Sequence, residues 1–340
     1  MPIGYRQPSR CAPSPPRHRC DRYHASVNGS GSVVVTGGAG FIGSHVASLL
    51  QQRDRQPIVL DNLQSGNPSN LQRDVSLIVD DAGRIDAWPT AARNASAIVH
   101  LAAMPAVQDT VERPLESHTA NFVLTQHLVE AARRYGIPRI VYASTAAVYG
   151  NTGQAEQHED DATDPLTPYA IDKHAGERYL RFAAEQYGLE TVTLRFFNVY
   201  GPRQNPSSPY SGVLTQFSSR LIRNQPIVIY GDGQQTRDFV YVGDVAQVVV
   251  DAATQTSRWP AGPINVGTGT SVDLLQVVGA FSDLLGRAPQ VQHEPARTGD
   301  VRDSKANVDR LHAAWGNTPQ TSLRDGLHAL IDWMQTPAQG

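Results

Sequence analysis

The sequence predicts an α/β protein with a Rossmann-type, doubly wound parallel sheet and a smaller mixed α/β lobe at the C-terminal end. Strand-length apolar runs alternate with helix-length segments from Ser32 to about residue 200 of the 340-residue chain. A Gly-rich turn joins the first run to an amphipathic helix. After Val199 the alternation stops, and Pro and Gly become frequent. These three observations indicate one large nucleotide-binding layer followed by a second lobe.

The first thirty residues and the overall charge narrow the classes of partner. Residues 1–30 are rich in Pro, Arg, Ser and His, which favours a disordered tail. Cys11 and Cys20 both lie in this tail without the further ligands of a zinc site, so no metal is predicted. The net charge is −3 and acids and bases are interspersed, so the sequence shows no basic patch of the kind that binds nucleic acid. We therefore expect a small-molecule partner. No apolar run reaches the length of about 18 residues that a membrane span needs. The basic N-terminus also lacks the apolar core of a signal peptide, so we expect a cytoplasmic protein.

The apolar pattern predicts individual elements and two regions. The predicted strands include residues 33–35, 58–60, 77–79, 98–101 and 140–142, and a further run at 192–199 ends the alternation. The predicted helices include residues 41–52, 213–224, 274–285 and 322–334. We expect residues 31–200 to form mainly a cofactor-binding domain. Residues 201–340 are then mainly a substrate-binding lobe, with some segments returning to the first domain.

The Gly-rich turn is the first indication of a binding site. The run Val33 to Thr36 leads into Gly37-Gly38-Ala39-Gly40-Phe41-Ile42-Gly43, so that strand, turn and helix follow in order. Gly37 permits the tight turn, Gly40 lets the backbone approach a pyrophosphate, and Gly43 lets the helix lie close to the strand. The helix N-terminus, with Phe41 and Ile42 in its first turn, supplies N–H donors. The pattern predicts a dinucleotide site.

Two carboxylates at strand ends specify the dinucleotide. Asp61 ends the second predicted strand, where its carboxylate can accept from both ribose hydroxyls and repel a 2′-phosphate. NAD is therefore predicted rather than NADP. Asp81 follows the third strand, where it can meet the adenine amino group. The alternatives are a loop aspartate at position 61 and a helix cap at position 81.

A hydroxyl, a phenol and an amine form the candidate catalytic set. Thr145 follows a predicted strand, and Tyr169 and Lys173 share one helix face at spacing i, i+4. Thr167 as N-cap and Pro168 at the first helical position explain why a helix begins there. Lowering a phenol pKa of about 10 by about three units takes ~4 kcal/mol. An ammonium about 5 Å away supplies ~3 kcal/mol at an effective dielectric near 20, and the positive nicotinamide ring would add more. Tyr169 is thus predicted to act as a phenolate base and Thr145 to align the reacting hydroxyl, although the same spacing also occurs in ordinary helices.

Taken together, these residues resemble the extended short-chain dehydrogenase/reductases, specifically the UDP-glucose and UDP-N-acetylglucosamine 4-epimerases. The resemblance runs from about residue 33 to residue 307. It is carried by the segments 37–43, 61–63, 100–103, 144–150, 168–173, 195–202, 231–242 and 297–300.

The resemblance implies roles for further residues. Thr145, Tyr169 and Lys173 correspond to the catalytic triad. The cofactor contacts that carry over, beyond the Gly-rich turn, Asp61 and Asp81, are Asn62, Ala82, Leu101, Ala102 and Ala103. On the substrate side, Asn198, Arg237 and Arg297 would bind the diphosphate, since guanidinium forks suit phosphate oxygens. Asp300 would bind the uridine ribose, and Ser211, Gly212 and Val213 would lie along the uridine and diphosphate. Relatives usually dimerise through two helices, here about 119–134 and 169–187, so a homodimer is expected.

The implied reaction is epimerisation at C4 of a UDP-hexose through a 4-keto sugar, with NAD bound throughout and no metal. Ala146 and Ala147 stand where dehydratases carry an acid and a base, which argues against elimination and, less strongly, against a decarboxylase. A UDP-glucuronate 4-epimerase or decarboxylase, or another nucleotide-sugar dehydratase, stays the alternative. A non-catalytic NAD sensor is disfavoured because both Tyr169 and Lys173 are present. Ser304 corresponds to a gate position, and its small side chain predicts that N-acetylated sugars are also accepted.

Overall fold

The computed structural model describes residues 31–206, 211–256, 259–296 and 301–336. The predicted tail 1–30 and the predicted site residues Arg297 and Asp300 lie outside these ranges. The strands are β1 (Ser32–Thr36), β2 (Gln56–Asp61), β3 (Ser76–Val79), β4 (Ala97–His100), β5 (Arg139–Thr145), β6 (Glu190–Phe196), β7 (Asn198–Tyr200), β8 (Ile227–Tyr230), β9 (Thr236–Arg237), β10 (Phe239–Tyr241), β11 (Pro263–Val266), β12 (Val272–Asp273) and β13 (Val291–Glu294).

Eleven α-helices connect these strands in the described part of the chain. They are α1 (Phe41–Gln52), α2 (Thr90–Arg93), α3 (Val107–Glu112), α4 (Pro114–His118), α5 (Leu124–Tyr135), α6 (Pro168–Tyr187), α7 (Val213–Ile222), α8 (Val242–Thr254), α9 (Leu274–Leu285), α10 (Asp309–Trp315) and α11 (Leu323–Gln335). A π-helical turn (Thr119–Val123) joins α4 to α5, and short 3₁₀ turns occur at Pro68–Asn70, Ile85–Ala87 and Ala146–Tyr149. Within the ranges described, no helix is long and apolar enough to cross a membrane.

Seven parallel strands form the central sheet in the order β11-β6-β5-β4-β1-β2-β3. The order reverses between β1 and β4, and in doubly wound sheets a ligand crevice opens there beyond the carboxyl ends of the strands. Buried apolar side chains cover both faces, with α1 and α8 contributing to one face and α5 and α6 to the other. The predicted Rossmann-type fold is confirmed. The candidate binding site therefore lies at the carboxyl ends of β1, β2, β4 and β5.

The apolar run at 192–199 is two strands rather than one. β6 belongs to the central sheet and ends at Phe196, whereas β7 begins at Asn198 and pairs with β10 in a separate two-stranded sheet. The break falls at Phe197, whose backbone N–H donates to Val266 O of β11 at 3.0 Å. This hydrogen bond still joins Phe197 to the central sheet, whereas the N–H of Asn198 donates to Asp238 O, directly before β10. The chain therefore leaves the central sheet between these two residues.

The seventh strand of the sheet comes from the second half of the chain and was not predicted. β11 is four residues long and follows a Pro- and Gly-containing stretch, so its apolar signal is short. It pairs with β6 from Pro263 to Val266. The preceding helix, α8, packs against α1 and is buried on almost every side. Segments after residue 201 therefore complete the sheet that the first half begins.

A second apolar cluster forms the smaller lobe. It is built from α7, α9 and α11 with β8 and β10, and its centre includes Phe217, Ile229, Phe281 and Leu330, each at most 2% exposed. β7 and β10 lie between this cluster and the central sheet, since Tyr200 packs in the lobe while Val240 packs in the main core. The strand pair thereby places β9 and the residues after it beside the carboxyl edge.

Candidate active site

The Gly-rich turn has the geometry that a pyrophosphate needs. Gly37 has φ +68°, and a Cβ there would lie 2.8 Å from Ala102 Cα. A Cβ on Gly43 would lie 2.2 Å from Gly37 O, so α1 can approach the turn this closely only with glycine. Gly40 is the N-cap of α1 and offers no side chain to its first N–H groups. Those donors stay available to an anionic ligand at the helix N-terminus.

We expect Gly43→Ala to abolish measurable NAD binding and to lower the free energy of unfolding by about 1–3 kcal/mol, the range for overpacking a close contact. The reason is that the new methyl group meets a backbone oxygen that cannot move without opening the turn. Isothermal titration with NAD and urea unfolding measure the two effects.

Gly279→Ala is the matched control for this substitution. Gly279 lies inside α9, and a Cβ there meets no atom within 4 Å. The exchange should therefore leave NAD binding unchanged and raise stability by up to about 1 kcal/mol through helix propensity. Equal NAD affinities for the two variants would contradict the role assigned to the turn.

Asp61 ends β2 and is almost fully buried. Its two carboxylate oxygens accept from Ala39 N and Leu63 N, each at 2.9 Å. Both oxygens keep a further lone pair, so the carboxylate can hold the Gly-rich turn and still accept from ribose hydroxyls. A Cβ on Gly66 would lie 2.7 Å from Asp61 Oδ1, which shows how tightly the following loop closes over this carboxylate. The neighbouring Asn62 is exposed and caps a turn by accepting from Gln64 N at 3.1 Å.

The other predicted cofactor residues fall into two groups. Leu101, Ala102 and Ala103 form the loop after β4, where Leu101 N donates to Thr36 O and Ala102 N to Thr36 Oγ1. This loop therefore lies against the Gly-rich turn. Asp81 lies after β3, is exposed, and accepts from Gly83 N at 2.8 Å, which closes a local turn. Ala82 beside it is buried.

The predicted catalytic residues are brought together at the ends of β5 and α6. Thr145 is the last residue of β5, and its Oγ1 accepts from Ala147 N at 3.2 Å. Thr167 caps α6 by accepting from Ala170 N, which places Tyr169 in the first turn. Lys173 is 1% exposed. Its Nζ donates to Ala143 O at 2.8 Å and lies 6.0 Å from the centroid of the Tyr169 ring.

Burial opposes the charged forms of both side chains of this pair. Burial raises the pKa of Tyr169 to about 12, and the hydrogen bond with Thr145 acts in the opposite direction without outweighing it. Burial also lowers the pKa of Lys173 to about 7, against the raising effect of Asp172. The residues of the chain alone therefore hold Tyr169 as a neutral phenol. The predicted phenolate therefore depends on the additional positive charge of an oxidised nicotinamide ring.

A buried ion pair behind the catalytic residues was not anticipated. Glu177, one turn after Lys173 on α6, accepts from Arg195 of β6 at 2.9 and 2.8 Å, and both side chains are buried. Ser144, which precedes Thr145, donates to the same carboxylate. Arg195 also stacks on Tyr149, with 4.8 Å from its Cζ to the ring centroid. The spacing Lys173-x-x-x-Glu177 was the available signal, but it does not reveal which cation it faces.

The predicted substrate residues Asn198, Arg237 and Ser304 lie on β7, on β9 and after residue 301. Asn198 is exposed at the start of β7, and its N–H donates to Asp238 O. Arg237 lies in β9, where its Nη1 donates to Thr236 O at 2.8 Å. Ser304 is half-buried between Asp303, which accepts from Thr236 Oγ1, and Lys305, whose N–H donates to Gln157 Oε1.

The start of α7 carries the remaining described substrate residues. Ser211 Oγ donates to Asn205 O. Gly212 is the N-cap of α7, and Val213 is its first residue. The structure thus describes these positions and those around β9, whereas Arg297 and Asp300 lie outside the described residues.

A glycine-rich turn at the switch point, a carboxylate at the end of β2, and a Thr-Tyr-Lys set at β5 and α6 define an NAD-binding enzyme on a Rossmann-type fold. Residues 33–267 match the NAD-dependent epimerase/dehydratase family, and the chain belongs to that family. NAD, predicted from Asp61, is thereby confirmed as the cofactor type.

Several epimerases match this chain over most of its length. The UDP-glucose 4-epimerase of Mycolicibacterium smegmatis is 34% identical over 316 residues, covering 90% of this chain and 99% of that protein. The UDP-N-acetylglucosamine 4-epimerase of Methanobrevibacter ruminantium M1, in complex with UDP-N-acetylmuramic acid, superposes with a TM-score of 0.84 at 33% identity, over 89% of this chain and 98% of that one. The UDP-glucose 4-epimerase of Thermus thermophilus, in complex with NAD, gives a TM-score of 0.81 at 36% identity, over 90% of this chain and 99% of that one.

Proposed function

We propose that this enzyme epimerises a UDP-hexose at C4 through a 4-keto intermediate, with NAD retained through turnover. The proposal rests on which residues lie at the end of β5 and the start of α6, here called the catalytic edge. Thr145, Tyr169 and Lys173 converge there, while the 3₁₀ turn that follows β5 begins with Ala146 and Ala147. A hydroxyl can be deprotonated and reprotonated at this edge. A second acid and base for elimination are absent from these two positions.

Each catalytic side chain has a separate task in the proposed reaction. Tyr169 Oη takes the proton from the C4 hydroxyl and later returns it. Thr145 keeps that hydroxyl aligned with Tyr169, and the Lys173 ammonium stabilises the phenolate. When bound, NAD supplies a hydride acceptor and then a hydride donor at C4. The Gly-rich turn, Asp61 and the loop 101–103 would hold the dinucleotide, and tight retention follows from a cycle that has no net redox change.

The substrate diphosphate is proposed to lie between the two lobes. Asn198 and Arg237 on β7 and β9, together with Arg297, would bind its oxygens, because a guanidinium fork matches a phosphate. The start of α7, from Ser211 to Val213, would lie along the uridine, and Asp300 would bind the ribose. This arrangement leaves the hexose pointing toward Tyr169, since β7 and β10 join the smaller lobe to the catalytic edge.

The deciding experiment is a turnover assay with UDP-glucose and, separately, UDP-N-acetylglucosamine, without added NAD, in which chromatography resolves the C4 epimers. Formation of the galacto product supports both the reaction and retained NAD. If neither substrate reacts after NAD is added, UDP-glucuronate becomes the test substrate. A galacturonate product would then establish the alternative epimerase, and a pentose product would establish the decarboxylase. Bound NAD with no turnover of any of these would leave a non-catalytic sensor.

The half-buried Ser304 side chain predicts a substrate range that one substitution can narrow. We expect Ser304→Tyr to reduce turnover of UDP-N-acetylglucosamine at least tenfold and to leave UDP-glucose turnover within about twofold. A phenol ring would fill the volume that an N-acetyl group needs, and steric exclusion in a pocket is worth ~1–3 kcal/mol. Ser304→Ala is the control, since it changes the hydroxyl but not the room. Parallel losses on both substrates in the tyrosine variant would contradict a gate at this position.

We keep the predicted homodimer but place its interface on α3, α4 and α6 in place of the predicted helices at about 119–134 and 169–187, because these three helices present apolar side chains to solvent. Val111, Leu115, Ile171 and Phe182 are 52%, 83%, 53% and 43% exposed. A second copy of the same face is self-complementary under twofold symmetry. We expect light scattering to give the mass of two chains, and Leu115→Asp to give one chain with an unchanged circular dichroism spectrum. A wild-type monomer at micromolar concentration would rule out this interface.

A further inference from the structure

A buried asparagine on β11 connects the turn after β5 to the segment that carries Ser304. Asn265 is 0% exposed. Its Oδ1 accepts from Tyr149 Oη at 2.6 Å, and its Nδ2 donates to Gln157 O at 2.9 Å and to Asn307 O at 3.3 Å. Because the two carbonyl oxygens can only accept, they fix which end of the amide is Nδ2. The oxygen and both N–H groups of this side chain are therefore all bonded.

The first of these contacts holds the turn that follows the catalytic edge. Tyr149 is the last residue of the 3₁₀ turn Ala146–Tyr149, which directly follows Thr145. Arg195 packs on its ring with 4.8 Å from Cζ to the ring centroid. Arg195 and Asn265 are also partners in the ladder between β6 and β11. Two neighbouring strands of the sheet therefore fix the ring and the hydroxyl group of Tyr149.

The other two contacts hold residues 301–307, here called the gate segment. Gln157 and Ala306 form a parallel β-bridge, in which Asn307 N donates to Gln157 O at 2.9 Å. Asn265 donates to one carbonyl oxygen on each side of this bridge. One side-chain amide thus fastens both chains of the bridge to the edge of the central sheet.

The gate segment lies next to residues that the proposed function assigns to the substrate. Arg237 Nη1 donates to Arg302 O at 3.4 Å, and Ser304 follows two residues later. Further along the segment, Ala306 belongs to the same small apolar cluster as Tyr149. The gate segment therefore links β9 to the turn after the catalytic edge.

We infer that Asn265 is a positioning residue that sets the width of the substrate pocket between the catalytic edge and Ser304. The sheet holds its backbone, and its amide bonds the turn at one end and the gate segment at the other, so their separation is fixed before a substrate binds. Removal of the amide would take a partner from both Tyr149 Oη and Asn307 O. The inference rests on the proposed function, and it adds what keeps the two sides of the pocket together.

Hydrogen exchange followed by mass spectrometry tests this role without a substrate. Asn265→Leu keeps a similar volume but removes the amide. We expect the backbone amides of residues 305–307 to exchange about tenfold faster in this variant, the factor that corresponds to the net contribution of about one hydrogen bond. The amides of β1, β4 and β5 should keep their wild-type rates. Asn265→Ala is the second variant should the leucine variant not fold.

Two results of this experiment would overturn the inference. The first is a wild-type exchange rate at residues 305–307 in both variants of Asn265. The second is an equal acceleration in the gate segment and throughout the central sheet, because that would show a general loss of stability and no local role.

Two tyrosine variants supply the controls. Tyr149→Phe removes only the contact with the turn, so exchange should accelerate at residues 146–150 while residues 305–307 stay protected by the two bonds from Asn265 Nδ2. Tyr135→Phe is the matched control, since Tyr135 Oη donates to Ile85 O at 2.9 Å and so also joins distant segments. It should leave both regions unchanged. An acceleration at residues 305–307 in Tyr135→Phe equal to that in Asn265→Leu would overturn the assignment.

Substrate affinity provides the second measurement. Asn265→Leu should raise KM for UDP-glucose and UDP-N-acetylglucosamine about tenfold and change kcat by less than about threefold, because the catalytic side chains stay on β5 and α6. NAD should still co-purify, and calorimetry with UDP should show the same loss of affinity. Faster exchange at residues 305–307 with weaker UDP binding, in a protein that turns over no UDP-sugar, would support the role of Asn265 and contradict the proposed function. Turnover by the wild type with an unchanged KM in the variant would do the reverse.

Discussion

Tyr169→Phe should lower kcat by about 10²- to 10⁴-fold, the range attributed to a general acid–base group. The substitution removes one oxygen, which carries the proton in the proposed reaction. KM for the sugar nucleotide should change little, because the proposed diphosphate and uridine contacts are made by other residues than Tyr169. NAD should still co-purify with the variant. Initial rates at several substrate concentrations and the absorbance of released NAD measure these quantities.

Tyr179→Phe is the matched control on the same helix. The Tyr179 ring packs against Phe122 and Phe182, away from β5, so the loss of its hydroxyl should leave kcat within about twofold. A Tyr169 variant that kept more than a tenth of the wild-type rate would mean that another group moves the proton.

Glu177→Gln should lower the free energy of unfolding by about 3–5 kcal/mol, the cost of leaving a buried charge without its partner. Arg195 is 3% exposed and makes two hydrogen bonds to the Glu177 carboxylate. Glutamine is close in shape but neutral, so the guanidinium would remain buried without a counter-charge. Urea unfolding followed by circular dichroism measures the difference, with the midpoint and slope compared separately.

An exposed ion pair on the same helix gives the control for this prediction. Arg181 and Glu185 are bonded at 3.0 Å, but their side chains are 66% and 57% exposed. Glu185→Gln should therefore cost less than about 1 kcal/mol. Similar losses at Glu177 and Glu185 would show that the buried pair adds no stability beyond a surface pair.

The contribution of Glu177 should depend on pH in a defined direction. Burial disfavours its ionised form, but hydrogen bonds from Arg195 and Ser144 outweigh burial and hold its pKa below the usual value. A carboxyl whose folded-state pKa is lowered stabilises the protein above its unfolded-state pKa of about 4.3 and loses that effect as the pH falls. The stability difference between the wild type and Glu177→Gln should accordingly be largest near neutral pH and shrink in acid.

Local sequence signals located the cofactor and catalytic edge because each signal spans only a few residues. The Gly37–Gly43 turn, Asp61 at a strand end, and the Thr167 cap before Tyr169 each follow from backbone geometry within one or two turns of chain. The run 192–199 holds two strands in different sheets, because the N–H of Asn198 donates to Asp238 O, 40 positions away, and not to a strand of the central sheet. No local pattern contains that information.

The sequence alone established the Rossmann-type fold, the preference for NAD and the convergence of Thr145, Tyr169 and Lys173, since spacing and strand order are sufficient for these. Only the tertiary structure showed that β11 completes the sheet, that Arg195 pairs with Glu177, and that Asn265 joins Tyr149 to Asn307. It also showed that burial raises the pKa of Tyr169 to about 12 in the protein alone. The physical reason is common to all of these: burial and charge pairing depend on which distant segments exclude water from a group, and that is decided when the chain packs.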